Sequence, residues 1–417
     1  MAGLFGDTFV ALRHRDFRYW WFGQCISLIG TWMQRAAQIW LVYSMTNSAL
    51  LLGLLTVFQA GPVLLLSIPA GVYVDRFPKR KIVLVSQIVL TLQAFALAAL
   101  TWSGKAQYWQ ILLLALIQGI AMAADAPARQ SFFIDLVGKE DLINAISLNS
   151  SIMNLAQIIG PSVAGLVMAT LGPAPCFFMN GVSFLAVIYG LCMITVDGLP
   201  KNGERRGGRV WAEAREGLHH IWDNPALRLT AELSAITAIF TMNGNVLIPV
   251  FTDKVLHLGV RQYGLLMSLN GVGALCGALM MASRARRGFA RSGLIWTAII
   301  ASGLHVIVAF GHSLLIASLL IPMIGAANMI FSNTANSSLQ LGSRDEYRGR
   351  VMALYMMVRQ GGSPLGNSLA GGVMEHFGGA AGYFSVGMLS LVTIGLCMIT
   401  QRESVRATLL ASSGGSG

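Results

Sequence analysis

Long apolar stretches dominate the chain, each closed by a short polar knot rather than by strict alternation. A hydrocarbon layer about 30 Å thick takes about 20 apolar helical residues to cross. Runs of that length recur from the first span to the last. Their punctuation predicts helices over 17–44, 49–74, 82–102, 107–133, 142–171, 175–196, 227–252, 263–283, 292–310, 314–333, 350–376 and 382–399. The longest polar interruption, DGLPKNGERRGGR, follows the sixth span. After it, VWAEAREGLHHIWD sets Trp211, Leu218 and Trp222 on one helical face, the pattern of a short helix on a membrane surface.

The two halves repeat. GPSVAGLVMATLG, from Gly160, aligns without gaps to GNSLAGGVMEHFG, from Gly366, at a shift of 206 residues. Duplicated bundles leave this mark, and parallel six-helix repeats are a transporter architecture. The expected fold is an all-α membrane protein with twelve transmembrane helices in two six-helix bundles. Residues 1–196 form the first bundle and 224–403 the second. Residues 197–223 are a cytoplasmic linker with the surface helix, and 404–417 a flexible tail whose final SSGGSG reads as linker sequence.

Composition strengthens this picture. The chain is 55% hydrophobic and only 11% charged, outside the range of soluble domains. A net charge of +11 would suggest nucleic acid in a soluble protein. Here the cations gather in alternate connections: Arg13, Arg15 and Arg18; Arg76, Lys79, Arg80 and Lys81; Lys201 to Arg209; Arg284 to Arg291; Arg344 to Arg350. That is the positive-inside distribution, which predicts both termini in the cytoplasm and no nucleic-acid partner. Five cysteines stand singly in apolar segments, without metal or disulfide spacing. No phosphate-binding loop, zinc-protease motif or nucleophile elbow is present. The sequence therefore predicts no enzyme, no cofactor and no metal.

GVYVDRFPKRKIVL concentrates five charges between Asp75 and Lys81, inside an otherwise greasy region. Gly71-x-x-x-Asp75-Arg76-x-x-x-Arg80-Lys81 resembles the signature loop of the major facilitator superfamily. AQIIGPSVAG resembles that superfamily's antiporter motif at Gly160, Pro161, Ala164 and Gly165, with alanine at 156 and 164 where glycine is usual. GTWMQRAAQIWLVYSMTNSALLLG, DAPARQSFFIDLVGKEDLINA and RGRVMALY look like the branch containing the enterobactin exporter and macrolide efflux pumps. The resemblance implies two bundles rocking about a central site, a gating role for the Asp75 loop, and outward transport. The fourth span departs from the pattern: ALIQG carries Ala115 where an arginine tied to proton movement is common.

Other polar groups must then serve. Gln24, Ser27, Thr31, Gln34, Arg35 and Gln38 follow one stripe of the first span. An arginine deep in a span costs at least about 3 kcal/mol unless it meets water or a partner, which singles out Arg35 and Arg359. Asp125 and Arg129 stand four apart across Pro127 and can pair; an Arg35–Asp125 ion pair is the competing arrangement. Asn243, Asn245, Asn270 and Asn328 add neutral hydrogen-bonding groups. The expectation is a monomeric, multi-pass exporter of the bacterial inner membrane. Its cargo is a small amphiphilic, anionic or acceptor-rich molecule, such as a siderophore or drug, exchanged for protons. A lipid or lysolipid mover is the alternative within transport, and a non-transporting membrane receptor or scaffold the alternative outside it.

Overall fold

The computed structural model describes residues 9–74, 76–198, 210–284, 292–402 and 405. Asp75, much of the linker and the terminal tail lie outside the described residues. Every regular element among those described is helical. After a 3-10 turn at Val10–Arg13 come α1 (Arg15–Thr46), α2 (Ala49–Val74), α3 (Lys79–Trp102), α4 (Tyr108–Val137), α5 (Leu142–Leu171) and α6 (Ala174–Met193). Then follow α7 (Val210–Asp223), α8 (Pro225–Phe240), α9 (Gly244–Lys254), α10 (Val260–Arg284), α11 (Ser292–Ala309), α12 (Leu314–Gly342), α13 (Asp345–Phe377) and α14 (Gly379–Thr400).

Ten stretches among the described residues are long and apolar enough to cross a membrane, with α8 and α9 together forming one of them. The two longest helices, α1 and α13, are not among the ten. Their composition explains this. Gln24, Gln34, Arg35 and Gln38 dilute α1, and α13 opens with Asp345, Glu346, Arg348 and Arg350.

The chain divides into two compact units. Unit 1 comprises Met1–Asn47, Phe58–Arg205 and Gly259–Ser268. Within it α1 packs on α5 and α6, and α3 on α4 and α6. Its core at one end joins Phe17, Trp20, Phe132 and Phe133, rings meeting edge to face at 6.2–6.3 Å. Gly30 lets α1 meet α6 closely: a methyl group there would lie 2.6 Å from Asn180 Oδ1 and 2.7 Å from Ser183 Oγ. Small residues serve this purpose where lipid supplies no hydrophobic drive for helix association.

Unit 2 comprises Ser48–Val57, Arg206–Leu258 and Leu269–Gly417. Here α11 packs on α12 and α14, and α13 on α8 and α7. Helix α7 turns Gly217 and Ile221 toward the unit, with Gly217 against Arg350 and Leu354, and leaves Leu218 and Trp222 exposed. The predicted single helix over 227–252 is interrupted: α8 stops at Phe240 and α9 begins at Gly244. The cause is local. Asn243 Nδ2 donates to the carbonyls of Ile239 (2.7 Å) and Phe240 (3.2 Å), which a continuous helix would give to main-chain N–H groups.

The repeat seen in the sequence holds in the packing. Gly160 of α5 lies against Trp32 and Met33 of α1, and Gly366 of α13 lies against Ile239 of α8. The shift that aligns Gly160 with Gly366 also carries Met33 onto Ile239.

Candidate functional site

The polar stripe of α1 points into unit 1. Gln24, Gln34 and Gln38 are each at most 1% exposed, so every amide needs a protein or water partner. At the start of the stripe, Arg129 of α4 donates to Gln24 and pairs with Asp125, itself 1% exposed. Gln87 of α3 donates to the other carboxylate oxygen of Asp125 at 3.1 Å. The Trp20 ring lies under the Arg129 guanidinium, 5.3 Å from its centroid. A buried charge survives only when paired and hydrogen-bonded, and Asp125 is both. Spacing four along one helix made the Asp125–Arg129 pair legible. The competing Arg35–Asp125 pair is not formed.

A second layer lies further along. Gln34 donates to Gln93 Oε1 of α3 at 3.0 Å and accepts from Asn180 Nδ2 of α6 at 2.8 Å. Asn180 in turn receives Ser183 Oγ at 3.1 Å. Beyond it, Gln59 of α2 donates to Gln38 at 3.2 Å. Gln87, Gln93 and Asn180 were missed in the sequence, being single amides in apolar spans. Their shared signal is that each interrupts the buried stripe of its helix.

Arg35 sits beside this stripe, not in it. Among the described residues it makes no hydrogen bond or ion pair; its guanidinium lies over the Trp32 ring, 5.1 Å from the centroid. Nearby, Tyr263 stacks on Trp40 at 5.1 Å and donates to Ala36 O at 3.2 Å.

One rim of unit 1 is tied by charge. Lys79 pairs with Asp135 and donates to Ser131 O at 3.2 Å. Arg80 donates to Leu191 O (2.8 Å), Cys192 O (3.2 Å) and Asp197 (3.0 Å), placing a cation at the carboxyl end of α6, where the helix dipole is negative. Asp16 Oδ2 accepts from Thr195 N (2.9 Å), Thr195 Oγ1 (2.8 Å) and Val196 N (3.2 Å). Of the loop motif, Gly71 falls in the last turn of α2, Arg76 and Lys81 are exposed, and Arg80 is bound as described. On α5, Gly160, Pro161, Ala164 and Gly165 are all buried, and Gly165 abuts Gly264.

In unit 2 the asparagines gather at the interruption between α8 and α9. Asn328 Nδ2 donates to Thr241 O at 2.9 Å and accepts Thr241 Oγ1 at 2.9 Å. Asn270 lies beside Gly244 and Gly325. Asn243 is fully buried, whereas Asn245 is half-buried. From α13, Ser363 donates to Met242 O at 3.3 Å. Arg359, one turn earlier, meets only the Tyr355 hydroxyl at 3.5 Å among the described residues. A neutral polar centre with a half-buried cation one turn away can hold an anion or an acceptor-rich molecule by hydrogen bonds.

Comparison with known proteins agrees with this architecture. The profile of the family described as transmembrane secretion effectors matches residues 6–412. The staphyloferrin A transporter of Staphylococcus aureus is 25% identical over 370 residues, spanning 87% of this chain and 90% of that one. The multidrug efflux pump Tap of Mycobacterium tuberculosis is 27% identical over 391 residues, 91% of each. Among solved structures, a bacterial homologue of the human lysosomal transporter Spinster superposes with a TM-score of 0.73 at 15% identity, over 94% of this chain and 98% of that one.

Proposed function

Because the chain belongs to the transmembrane secretion effector family of the major facilitator superfamily, we propose that it is an inner-membrane exporter that expels small amphiphilic molecules in exchange for protons. Members of the superfamily are secondary transporters that move small molecules by alternating access. The observation that carries the finer reading is Asp125: a carboxylate enclosed in unit 1, held by Arg129 and Gln87. A charge so placed is costly to keep, and a group that takes up and releases protons gives it a use. It stands in for the arginine replaced by Ala115.

In this reading twelve helices cross the membrane: the ten apolar stretches, α1 and α13. The polar groups of α1 do not oppose crossing, since Gln24, Gln34 and Gln38 face protein and not lipid. The basic connections lie in the cytoplasm, as do both termini. Arg35 in unit 1, and Arg359 with the asparagines Asn243, Asn245 and Asn328 in unit 2, are the cargo-binding groups that each unit offers. Two guanidinium groups without an ion pair among the described residues favour an anionic or acceptor-rich molecule, which suits a siderophore, the cargo named for the Staphylococcus aureus relative. Gly71, Asp75, Arg76, Arg80 and Lys81 form the gating loop, and Gly160, Pro161, Ala164 and Gly165 the tightly packed antiporter helix. The protein works as a monomer.

The test is transport in proteoliposomes of the purified protein, with staphyloferrin A and a fluorescent amphiphilic drug as probes. Cargo movement driven by an imposed pH gradient, with counterflow of protons, is the expected result. Movement indifferent to the gradient would remove proton exchange from the reading, and no movement of either probe would remove both cargo classes.

A further inference from the structure

The amide-lined interior of unit 1 is longer than the Asp125 site requires. It begins at Gln24, Arg129, Asp125 and Gln87, and continues through Gln34, Gln93 and Asn180 to Gln38 and Gln59. Ser27 of α1 and Thr91 of α3, both buried, stand between the first and second layers. From Gln24 to Gln38 the helix rises about 21 Å at 1.5 Å per residue, most of a hydrocarbon layer of about 30 Å. A bundle that needed only to bury one ion pair would be cheaper with apolar side chains beyond it.

The bonding along this line is incomplete in a regular way. Gln24 Nε2, Gln38 Nε2, Gln87 Oε1, Gln93 Nε2 and Arg129 Nε are each enclosed, and each lacks a hydrogen-bond partner among the described residues. Buried polar atoms in proteins are nearly always satisfied, by protein or by ordered water. Unsatisfied atoms in every layer of one polar line, with both donors and acceptors represented, are what a chain of internal waters would satisfy. Gly30, lacking a side chain, lets Asn180 and Ser183 of α6 pack directly against α1 in the middle layer, so polar atoms continue from one helix to the other there.

We propose that this line is a hydrated proton path inside unit 1, joining Asp125 to the membrane face nearest Gln38 and Gln59. The proposal rests on the reading of Asp125 as the proton-carrying group. A proton from water at the outer face passes along the bridging waters, and the Asp125 carboxylate accepts it, becoming neutral. Arg129 keeps its own charge and its bond to Gln24. Release of the same proton to cytoplasmic water restores the ion pair, so one proton enters and one leaves per cycle. The groups facing Asp125 are Arg129 on its own helix, Gln87 from α3, and Gln24 and Trp20 of α1 through Arg129. The neighbouring cation of α3, Lys79, is already paired with Asp135, ten positions further along α4.

Infrared difference spectroscopy on the full-length protein tests this. In oriented proteoliposomes, acidifying the outer medium should produce a protonated-carboxyl band that Asp125→Asn lacks. Gln93→Leu should slow the appearance of that band at least tenfold, yet leave its midpoint pH unchanged in detergent, where both faces meet solvent. Gln93→Asn should restore most of the rate. Gln38→Leu, at the outer end of the line, should reproduce the slowing, and it serves alone if Gln93→Leu does not fold. Leucine variants that protonate as fast as the parent would make the waters structural and end the proposal. So would a band that persists in Asp125→Asn. If Asp125 titrates through the line but cargo moves no protons, the exchange reading fails and the path stands.

Discussion

Gly366 lies so close to Ile239 that a methyl group at 366 would overlap the Ile239 carbonyl oxygen, and Asn243 Oδ1 would be 2.6 Å away. The contact joins α13 to the last turn of α8, where Asn243 has already taken the Ile239 carbonyl. Backbone cannot retreat as a flexible side chain does. Gly366→Ala should therefore lower the thermal midpoint in detergent by an amount equivalent to about 1–3 kcal/mol, the usual range for overpacking. Gly303→Ala and Gly395→Ala, where an added methyl meets nothing within 4 Å, should leave it unchanged. Equal midpoints for all three would contradict the close approach.

Arg129→Ala should be more costly than Asp125→Ala. Removing the guanidinium strands a carboxylate that is 1% exposed, and breaking a buried pair in this way costs about 3–5 kcal/mol. The double variant Arg129→Ala/Asp125→Ala should regain stability without regaining proton-driven transport. Paired melting and transport measurements on the four proteins decide it; additive losses would show that the two residues are not coupled.

Arg35 behaves differently because no charged group among the described residues holds it. Arg35→Ala should reduce transport strongly and shift the melting temperature little, since among the described residues the guanidinium is held by the Trp32 ring and by no ion pair. Arg35→Lys should recover part of the transport, an ammonium lacking the planar fork of the guanidinium. A variant that melts early and transports normally per folded molecule would assign Arg35 to packing.

Within unit 2, Glu375 of α13 accepts from the Ala49 backbone N–H at 2.8 Å, at the amino end of α2, where Ser48 Oγ also accepts from Leu51 at 3.2 Å. A carboxylate there opposes the positive end of the helix dipole. Glu375→Gln should speed amide hydrogen exchange over 49–51 a fewfold, and unchanged exchange would show that Ser48 alone holds the turn.

Orientation is open to labelling. In a cysteine-free background, a single cysteine replacing Arg76 should react only from the cytoplasm and one replacing Lys105 only from outside. The opposite pattern would invert every assignment of faces.

What the sequence determined by itself follows from rules that act locally. Bilayer thickness sets span length, so twelve helices could be predicted from apolar runs and their punctuation, ten of which, among the described residues, prove long and apolar enough to cross. Charge asymmetry supplied an expectation for the sidedness of the connections. The stripe on α1 was legible because helical periodicity places Gln24, Gln34 and Gln38 on one side, and the duplication was legible from Gly160 and Gly366. Periodicity says that a stripe must be satisfied, not by whom. That depends on how each helix is rotated about its axis, which only packing decides. Rotation of α3 and α6 brings Gln93 and Asn180 to Gln34 of α1 and Gln87 to Asp125 of α4, assigns Asp125 to Arg129 and leaves Arg35 aside. The interruption after Phe240 also escaped the pattern, because the run stays apolar on both sides. It arises where Asn243 turns its amide back onto two carbonyls, with Ser363 and Asn328 bonding the main chain so exposed. A low-dielectric surround makes each such partner obligatory, and tertiary structure chooses it.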